Sequence, residues 1–282
     1  MVFKKNFLIL VSVFFLLAVF LSYTLLRNSK AQSFIAFGDT GTGTVIQYQL
    51  ANTIKKECQG DCRGIILLGD IIYPDGIIST KDAQLLTKFE LPFSKIKNNF
   101  YITIGNHDCT GCIECMIDYQ KYSTKWIFPS RFYKQSFGNT DFFIIDSNEF
   151  SEQQRKWLES SLNKSKAKWK IVVGHHPLVS YDIRHKGKQN PYSKTIEKTI
   201  CNKADLYISG HDHVMVDLGD RCGVRQIVSG GGGAPLGSLP QTVLHQFIEH
   251  GLVKISTTNL YIKVDFINVG GEVIYTWLKH KL

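Results

Sequence analysis

The sequence lacks an internal repeat, a low-complexity segment and any linker that would separate two folded units. Solenoids, arrays and strings of tethered domains are thereby excluded. It lacks a dense Lys/Arg run with interleaved aromatics, so the formal net charge of +9 does not mark nucleic acid as a dedicated partner. That charge suits a solvated basic surface, or attraction of phosphorylated substrates or anionic lipid headgroups. A dinucleotide fingerprint is missing too. Gly41 and Gly43 stand between an apolar run and a helix-like one, but the spacing is not G-x-G-x-x-G, and the Asp39 carboxylate would repel a pyrophosphate held there.

What is present is one large core's worth of apolar residues, 44% of 282, in the range of a single α/β domain. Ahead of it, Phe7 to Leu26 carries no charge, with Lys4 and Lys5 before it and Arg27 and Lys30 after it. This run is long enough to cross a bilayer as a helix, which favours an uncleaved anchor, while Ser29-Lys30-Ala31 offers a small-x-small cleavage site. Residues 1–32 are therefore expected to be a signal anchor or signal peptide, and 33–282 the folded domain, placed outside the cytoplasm in either case.

Seven cysteines occur, and the C-x-x-C-x-x-C spacing from Cys109 to Cys115 invites a zinc site. Cys58 and Cys62 precede one apolar run, however, while Cys109 to Cys115 follow another, so parallel strands would carry the two clusters to opposite ends. Outside the cytoplasm, disulfides within each cluster and between Cys201 and Cys222 are expected, leaving one odd thiol.

The chemistry gathers at the ends of short apolar runs. Gly64 to Gly69 delivers Asp70 and Tyr73; Ser33 to Gly38 delivers Asp39; Phe100 to Gly105 delivers Asn106, His107 and Asp108; Lys170 to Gly174 delivers His175; Leu206 to Gly210 delivers His211, Asp212 and His213. Runs of this length bounded by glycine predict buried strands, and polar residues just beyond them point into the crevice where open α/β sheets hold ligands. An Asp after a strand is more often a cap and a lone His an ordinary hydrogen-bonded residue. Five such tips together make a metal site. Oxygen and nitrogen donors in this number suit two ions, since Asp70 can bridge a pair and His211 and His213, two apart in extended chain, face one side.

Between these strands, Ile46, Leu50 and Ile54 fall at helical spacing, helices are predicted near Lys81 to Phe89, Met116 to Tyr122 and Glu152 to Leu162, and Ser151 is a natural N-cap. The tail alternates at period two around Gly270-Gly271 and predicts a β-hairpin closing the sheet.

The motifs Asp39-x-Gly41, Gly69-Asp70-x-x-Tyr73, Gly105-Asn106-His107-Asp108, Val172-x-x-His175 and Gly210-His211-x-His213 resemble, in order, the metal motifs of the calcineurin-like metallophosphoesterases. Tyr73 makes the chain similar to the purple acid phosphatases of the small tartrate-resistant type. The resemblance implies a four-layer αββα sandwich with mixed sheets, an α/β fold, preceded here by one N-terminal hydrophobic helix. It implies that Asp39, Tyr73 and His213 hold Fe(III), that Asn106, His175 and His211 hold a second divalent ion (Fe, Zn or Mn), and that Asp70 bridges. Metal-bound hydroxide would attack a phosphate monoester, with His107 and His185 as substrate-side histidines and Asn106 also facing substrate. His185 falls one position later than the family pattern, and His176 has no metal role in it. The expected protein is a monomeric extracytoplasmic acid phosphatase acting on a phosphate-ester substrate, attached to the membrane through its N-terminal segment if that is uncleaved. A phosphodiesterase or nucleotide hydrolase of the same fold, and a membrane-tethered metal-binding or redox protein, are the competing readings.

Overall fold

The computed structural model describes residues 31–185 and 188–281, so the run from Phe7 to Leu26 and its expected helix lie outside the described residues. Among the described residues no helix is long and apolar enough to cross a membrane.

The chain alternates as β1 (Gln32–Phe37), α1 (Val45–Glu57), β2 (Cys62–Leu67), the short helix α2 (Ala83–Leu85) continued by a π-helical turn (Leu86–Glu90), β3 (Phe100–Ile102), α3 (Ile113–Tyr119) and β4 (Trp126–Ile127). There follow β5 (Tyr133–Phe137), β6 (Thr140–Ile144), α4 (Glu152–Lys164), β7 (Trp169–Val173), α5 (Ser193–Ile200), β8 (Leu206–Ser209), β9 (Met215–Arg221) and β10 (Val224–Ser229). The remainder is all strand: β11 (Gln246–Phe247), β12 (Gly251–Thr257), β13 (Tyr261–Asn268) and β14 (Val273–His280). These form two seven-stranded mixed sheets, ordered β14-β13-β12-β1-β2-β3-β4 and β11-β9-β10-β8-β7-β6-β5. This is the α/β architecture with two mixed sheets that the motifs imply.

Period-two alternation sets the layers. On β6, β7 and β8 the residues Phe142, Ile144, Ile171, Val173, Leu206 and Ile208 join the main core with Phe34 of β1. Their neighbours Phe143, Ile145, Val172 and Tyr207 face the other way and pack with Leu158 and Leu162 of α4 and Ile196 and Ile200 of α5. One strand set thus serves two interfaces, the sheet-on-sheet core and a helical cover. Phe34 and Phe142 meet edge to face across the first interface, with ring centroids 4.8 Å apart, a geometry that adds to simple area burial. Helix α4 begins where expected: the Ser151 side chain accepts from Gln154 N, satisfying one of the first turn's orphan amides.

The tail differs from a simple hairpin. β13 and β14 do turn at Gly270-Gly271, but β12 precedes them and pairs antiparallel with β1, Gln32 opposite Thr257, so a three-stranded meander extends the first sheet. Period two identifies strands but not their partners, and this pairing spans most of the chain. Disulfides join Cys58 to Cys62, Cys112 to Cys115 and Cys201 to Cys222, with Cα separations of 4.8, 5.2 and 5.3 Å, and Cys109 is the free thiol. With two of the three cysteines between 109 and 115 bonded to each other, no zinc site forms there.

Candidate metal centre

β1, β2 and β3 run parallel, as do β6, β7, β8 and β10, so the residues following these strands collect at one end of the two sheets. The loops are held there by backbone bonds between strand tips: Asp39 N donates to Gly69 O at 3.0 Å and Thr40 N to Asp70 O at 3.2 Å. Asp39, Asp70 and His211 all take the left-handed conformation, with φ of 60°, 51° and 70°. Such backbone costs about 1–3 kcal/mol per non-glycine residue and persists only where the surroundings enforce it. The glycines ahead of the ligand candidates give clearance as well as a turn. A Cβ on Gly105 would lie 2.0 Å from Asp70 Oδ1, and one on Gly210 2.5 Å from Asp39 Oδ2.

The structure brings all seven candidate ligands together, in two groups that share Asp70. In the first, the Tyr73 hydroxyl lies 3.2 Å from Asp39 Oδ1, 2.9 Å from Asp70 Oδ2 and 3.1 Å from His213 Nε2. In the second, Asn106 Oδ1 lies 3.0 Å from His175 Nε2 and 2.9 Å from His211 Nδ1, and His175 Nε2 is 3.5 Å from Asp70 Oδ2. The far ring nitrogens are already committed. His175 Nδ1–H donates to Leu68 O at 2.8 Å and His213 Nδ1–H to Pro235 O at 2.8 Å, which fixes the tautomers and turns the Nε2 lone pairs inward.

Acceptors therefore outnumber protons. The His213 Nε2 lone pair faces Asp39 Oδ1 at 3.5 Å and the His175 Nε2 lone pair faces both Asp70 and Asn106 oxygens. Burial, with charged Arg184 nearby, lowers the His213 pKa to about 4, and burial together with His175 and His176 depresses that of His211, so neither imidazole takes up a proton to relieve the repulsion. Burial first, and then the charge of Asp70, holds the Asp39 carboxyl well above the ordinary carboxylate range, and the Tyr73 phenol is raised by burial and by Asp39 and Asp70. Buried lone pairs facing one another without protons are what cations relieve, and this donor set suits them. Asp39, Asp70 and His175 also place ligand atoms within 4.8 Å of one another.

Of the substrate-side candidates, His107 packs its ring on Tyr73, centroids 4.5 Å apart, and donates its backbone N–H to Asp70 Oδ1 at 2.9 Å. Its Nδ1 donates to Pro74 O. His185 sits on a 3-10 turn and stacks on His211, centroids 4.1 Å apart and 14° from parallel, with Nδ1 3.1 Å from Asp212 Oδ1. It lines the cleft at the edge of the centre.

Several supporting residues carry no ligand signal of their own. Asp108 accepts from Gly105 N at 2.8 Å and from Ile71 N at 3.0 Å, tying the Asp70 and Asn106 loops together. Asp212 also accepts from Ser180 Oγ at 2.7 Å, orienting His185 from behind. Ser147, at yet another strand tip, accepts from the backbone N–H groups of His175 and His176. His176 comes within ligand reach of His175 and His211, with its Nδ1 2.9 Å from Ser147 Oγ and its pKa lowered to about 2, chiefly by burial. Arg184 is ion-paired to Asp182 and lies 3.1 Å from His213 Nδ1 at the mouth of the centre. A cleft of about 460 Å³ opens there, lined by His176, Arg184, His185, Asn190 and His211 among others. Asp108 and Asp212 sat inside the motifs that were read, whereas Ser147 and Arg184 are recognisable only from their contacts.

Comparison with known proteins bears on this geometry. A family profile described as Calcineurin-like phosphoesterase matches residues 33–215. Purple acid phosphatase 17 of Arabidopsis thaliana is 25% identical, over 94% of this chain and 93% of that protein. Tartrate-resistant acid phosphatase type 5 of Homo sapiens is 29% identical over 60% of each. Among solved structures, GAP50, the anchor in the inner membrane complex of Plasmodium, superposes with a TM-score of 0.78 at 23% identity, covering 89% of this chain and 90% of that one. A purple acid phosphatase from yellow lupin seeds gives 0.69 at 16% identity, covering 89% and 54%. At these identities the structural likenesses speak for the fold alone.

Proposed function

Because the chain belongs to the calcineurin-like phosphoesterases, we propose that it is a metal-dependent phosphomonoester hydrolase, an acid phosphatase of the purple type, working outside the cytoplasm. Relatives named purple acid phosphatase cover nearly its whole length, and this supports a dinuclear centre. The observation that carries the reading is the pair of donor groups with inward-facing lone pairs, too few protons between them, and one carboxylate in common. Asp39, Tyr73 and His213 form the harder, more anionic group and suit Fe(III). Asn106, His175 and His211 form a neutral set suited to a divalent ion, Fe, Zn or Mn, and Asp70 spans both.

When bound, such ions activate water as a nucleophile and neutralise charge on the phosphoryl oxygens. The chain's own residues do the rest. Asp108 and Ser147 hold the ligand loops in register, His107 is fixed over Tyr73 with Nδ1 committed to Pro74 O, and Asp212 orients His185 at the cleft. In this reading His107 and His185 bind the ester's phosphate and hand a proton to the leaving oxygen. Three disulfides accord with an oxidising compartment. Attachment through Phe7 to Leu26 completes the proposal.

The test is hydrolysis of an aryl phosphate monoester and the matching diester by the purified, metal-analysed chain. Preference for the monoester, with two metal ions per chain and loss of activity on chelation, is the expected result. Preference for the diester would make the protein a phosphodiesterase of the same fold, and a metal-replete chain inert toward both would retire the enzymatic reading.

A further inference from the structure

The charge outside the metal centre is unevenly placed. Since the parallel strands of both sheets point their C-terminal ends at the centre, their N-terminal ends build the opposite face. There the end of α4 and the segment leading to β7 carry Lys164, Lys166 and Lys168, with Lys170 in β7 itself. A neutral residue separates each pair, so this is no contiguous basic run, yet Ser165 and Trp169 are buried while Lys164 and Lys166 are exposed. Lys203 stands just before β8, and Lys281, just past β14, donates to Lys168 O at 2.9 Å and lies over the Trp169 ring at 5.3 Å.

On this face Asp61 only accepts from Ser33 Oγ, at 3.3 Å, while the acidic groups near the lysines are engaged. Asp205, buried, is shared by Lys279 and Lys281, Glu159 pairs with Lys203 at 2.7 Å, and buried Asp141 pairs with Lys134. Lys164, Lys166 and Lys168 have no acidic side chain at ion-pair distance among the described residues.

The chain enters its domain on the same face. Gln32 opens β1, and its side-chain amide donates to Phe137 O at 2.8 Å and Asn139 Oδ1 at 2.6 Å, next to Thr140, which pairs with Trp169. Five residues separate Leu26 from Gln32, a reach of at most about 20 Å when fully extended. A bilayer holding Phe7 to Leu26 would thus lie no more than about 20 Å from Gln32, close enough for this face of the domain to settle on it.

We propose that this lysine face docks on an anionic lipid surface, seating the domain with its metal centre turned away from the bilayer and open to dissolved phosphate esters. The inference rests on reading Phe7 to Leu26 as a retained anchor. Attraction of basic side chains beside a membrane-spanning segment to acidic headgroups is the physical cause, and it is screened by salt.

The experiment reconstitutes the full chain into vesicles of phosphatidylcholine alone or with about 30% phosphatidylserine and reads lysine acetylation rates by mass spectrometry. Labelling of Lys164, Lys166 and Lys168 is expected to fall about threefold or more with the anionic lipid and to recover in about 0.5 M salt. Lys194, exposed at the start of α5 on the side of the centre, should not change. The combined variant Lys164→Gln, Lys166→Gln, Lys168→Gln should abolish the lipid-dependent protection of Lys203 and Lys281 while hydrolysing the aryl phosphate as before. Equal labelling in the two vesicles overturns the docking face, and stronger protection by duplex DNA of matched charge overturns it in favour of nucleic acid. If alkaline carbonate strips the chain from the vesicles, the anchor reading is what fails. The same labelling, with chain added to preformed vesicles, then decides the face independently.

Discussion

Tyr73 is the residue on which most turns. Its hydroxyl reaches three other candidate ligands, and its pKa is raised by burial and by two carboxylates, so without metal it keeps its proton at any working pH. A cation must displace that proton, while the depressed His211 and His213 have none to give above pH about 4. Binding at the Tyr73 group therefore releases protons and weakens as pH falls, about tenfold per pH unit for each proton displaced. Titrating metal affinity against pH should show that slope, and Tyr73→Phe should reduce it by one proton while leaving the fold intact. The same variant should lose the visible absorption that phenolate-to-Fe(III) charge transfer would give an oxidised, iron-loaded protein. A colourless iron-replete wild type would remove Fe(III) from the Tyr73 group. Gly105→Ala tests clearance: its Cβ would fall 2.0 Å from Asp70 Oδ1 and 2.1 Å from Asp70 N, so the Asp70 loop must move, and metal content should drop on elemental analysis together with a lower midpoint in urea unfolding. The ligand candidates were legible in the sequence because each follows a glycine at the end of an apolar run. Ser147 and Arg184 were not, since what marks them is a neighbour 28 or 29 residues away.

Among the elements, α4 shows how a helix of low hydrophobicity is kept. Leu158 and Leu162, four apart, are its fully buried apolar contacts with the outer face of the second sheet. Leu158→Ala should cost about 2–5 kcal/mol in urea unfolding, whereas Ser151→Ala at the N-cap should cost about 1 kcal/mol. A reversed order would mean that capping, not packing, holds the helix. The helix, its cap and the strand after it are visible in sequence because Leu158 and Leu162, four apart, give way within a few residues to a short continuous apolar run that ends at Gly174. The placement of β12 beside β1 is not, because antiparallel partners more than 200 residues apart leave no periodic trace.

Over the whole molecule, the two sheets contribute unlike halves to one site. Asp39, Asp70, Tyr73 and Asn106 follow strands of the first sheet, and His175, His211 and His213 follow strands of the second. Each donor group draws on both sheets, so every ion bound would cross-link them. At free metal of 100 Kd one such site adds about 2.7 kcal/mol to the native state, or roughly 5–10 °C in Tm for a domain of this size. Calorimetry before and after chelation should show a drop of that order, and an unchanged Tm would mean that the ions do not bridge the sheets. In the order of synthesis the same division makes the centre a late acquisition. The oxygen-rich half emerges within the first 106 residues and the last of the candidate ligand histidines only at position 213, and β1 gains its edge partner β12 later still. A chain still short of position 213 has no complete set of candidate ligands, so a metal bound by both halves would enter late, once the two sheets have come together.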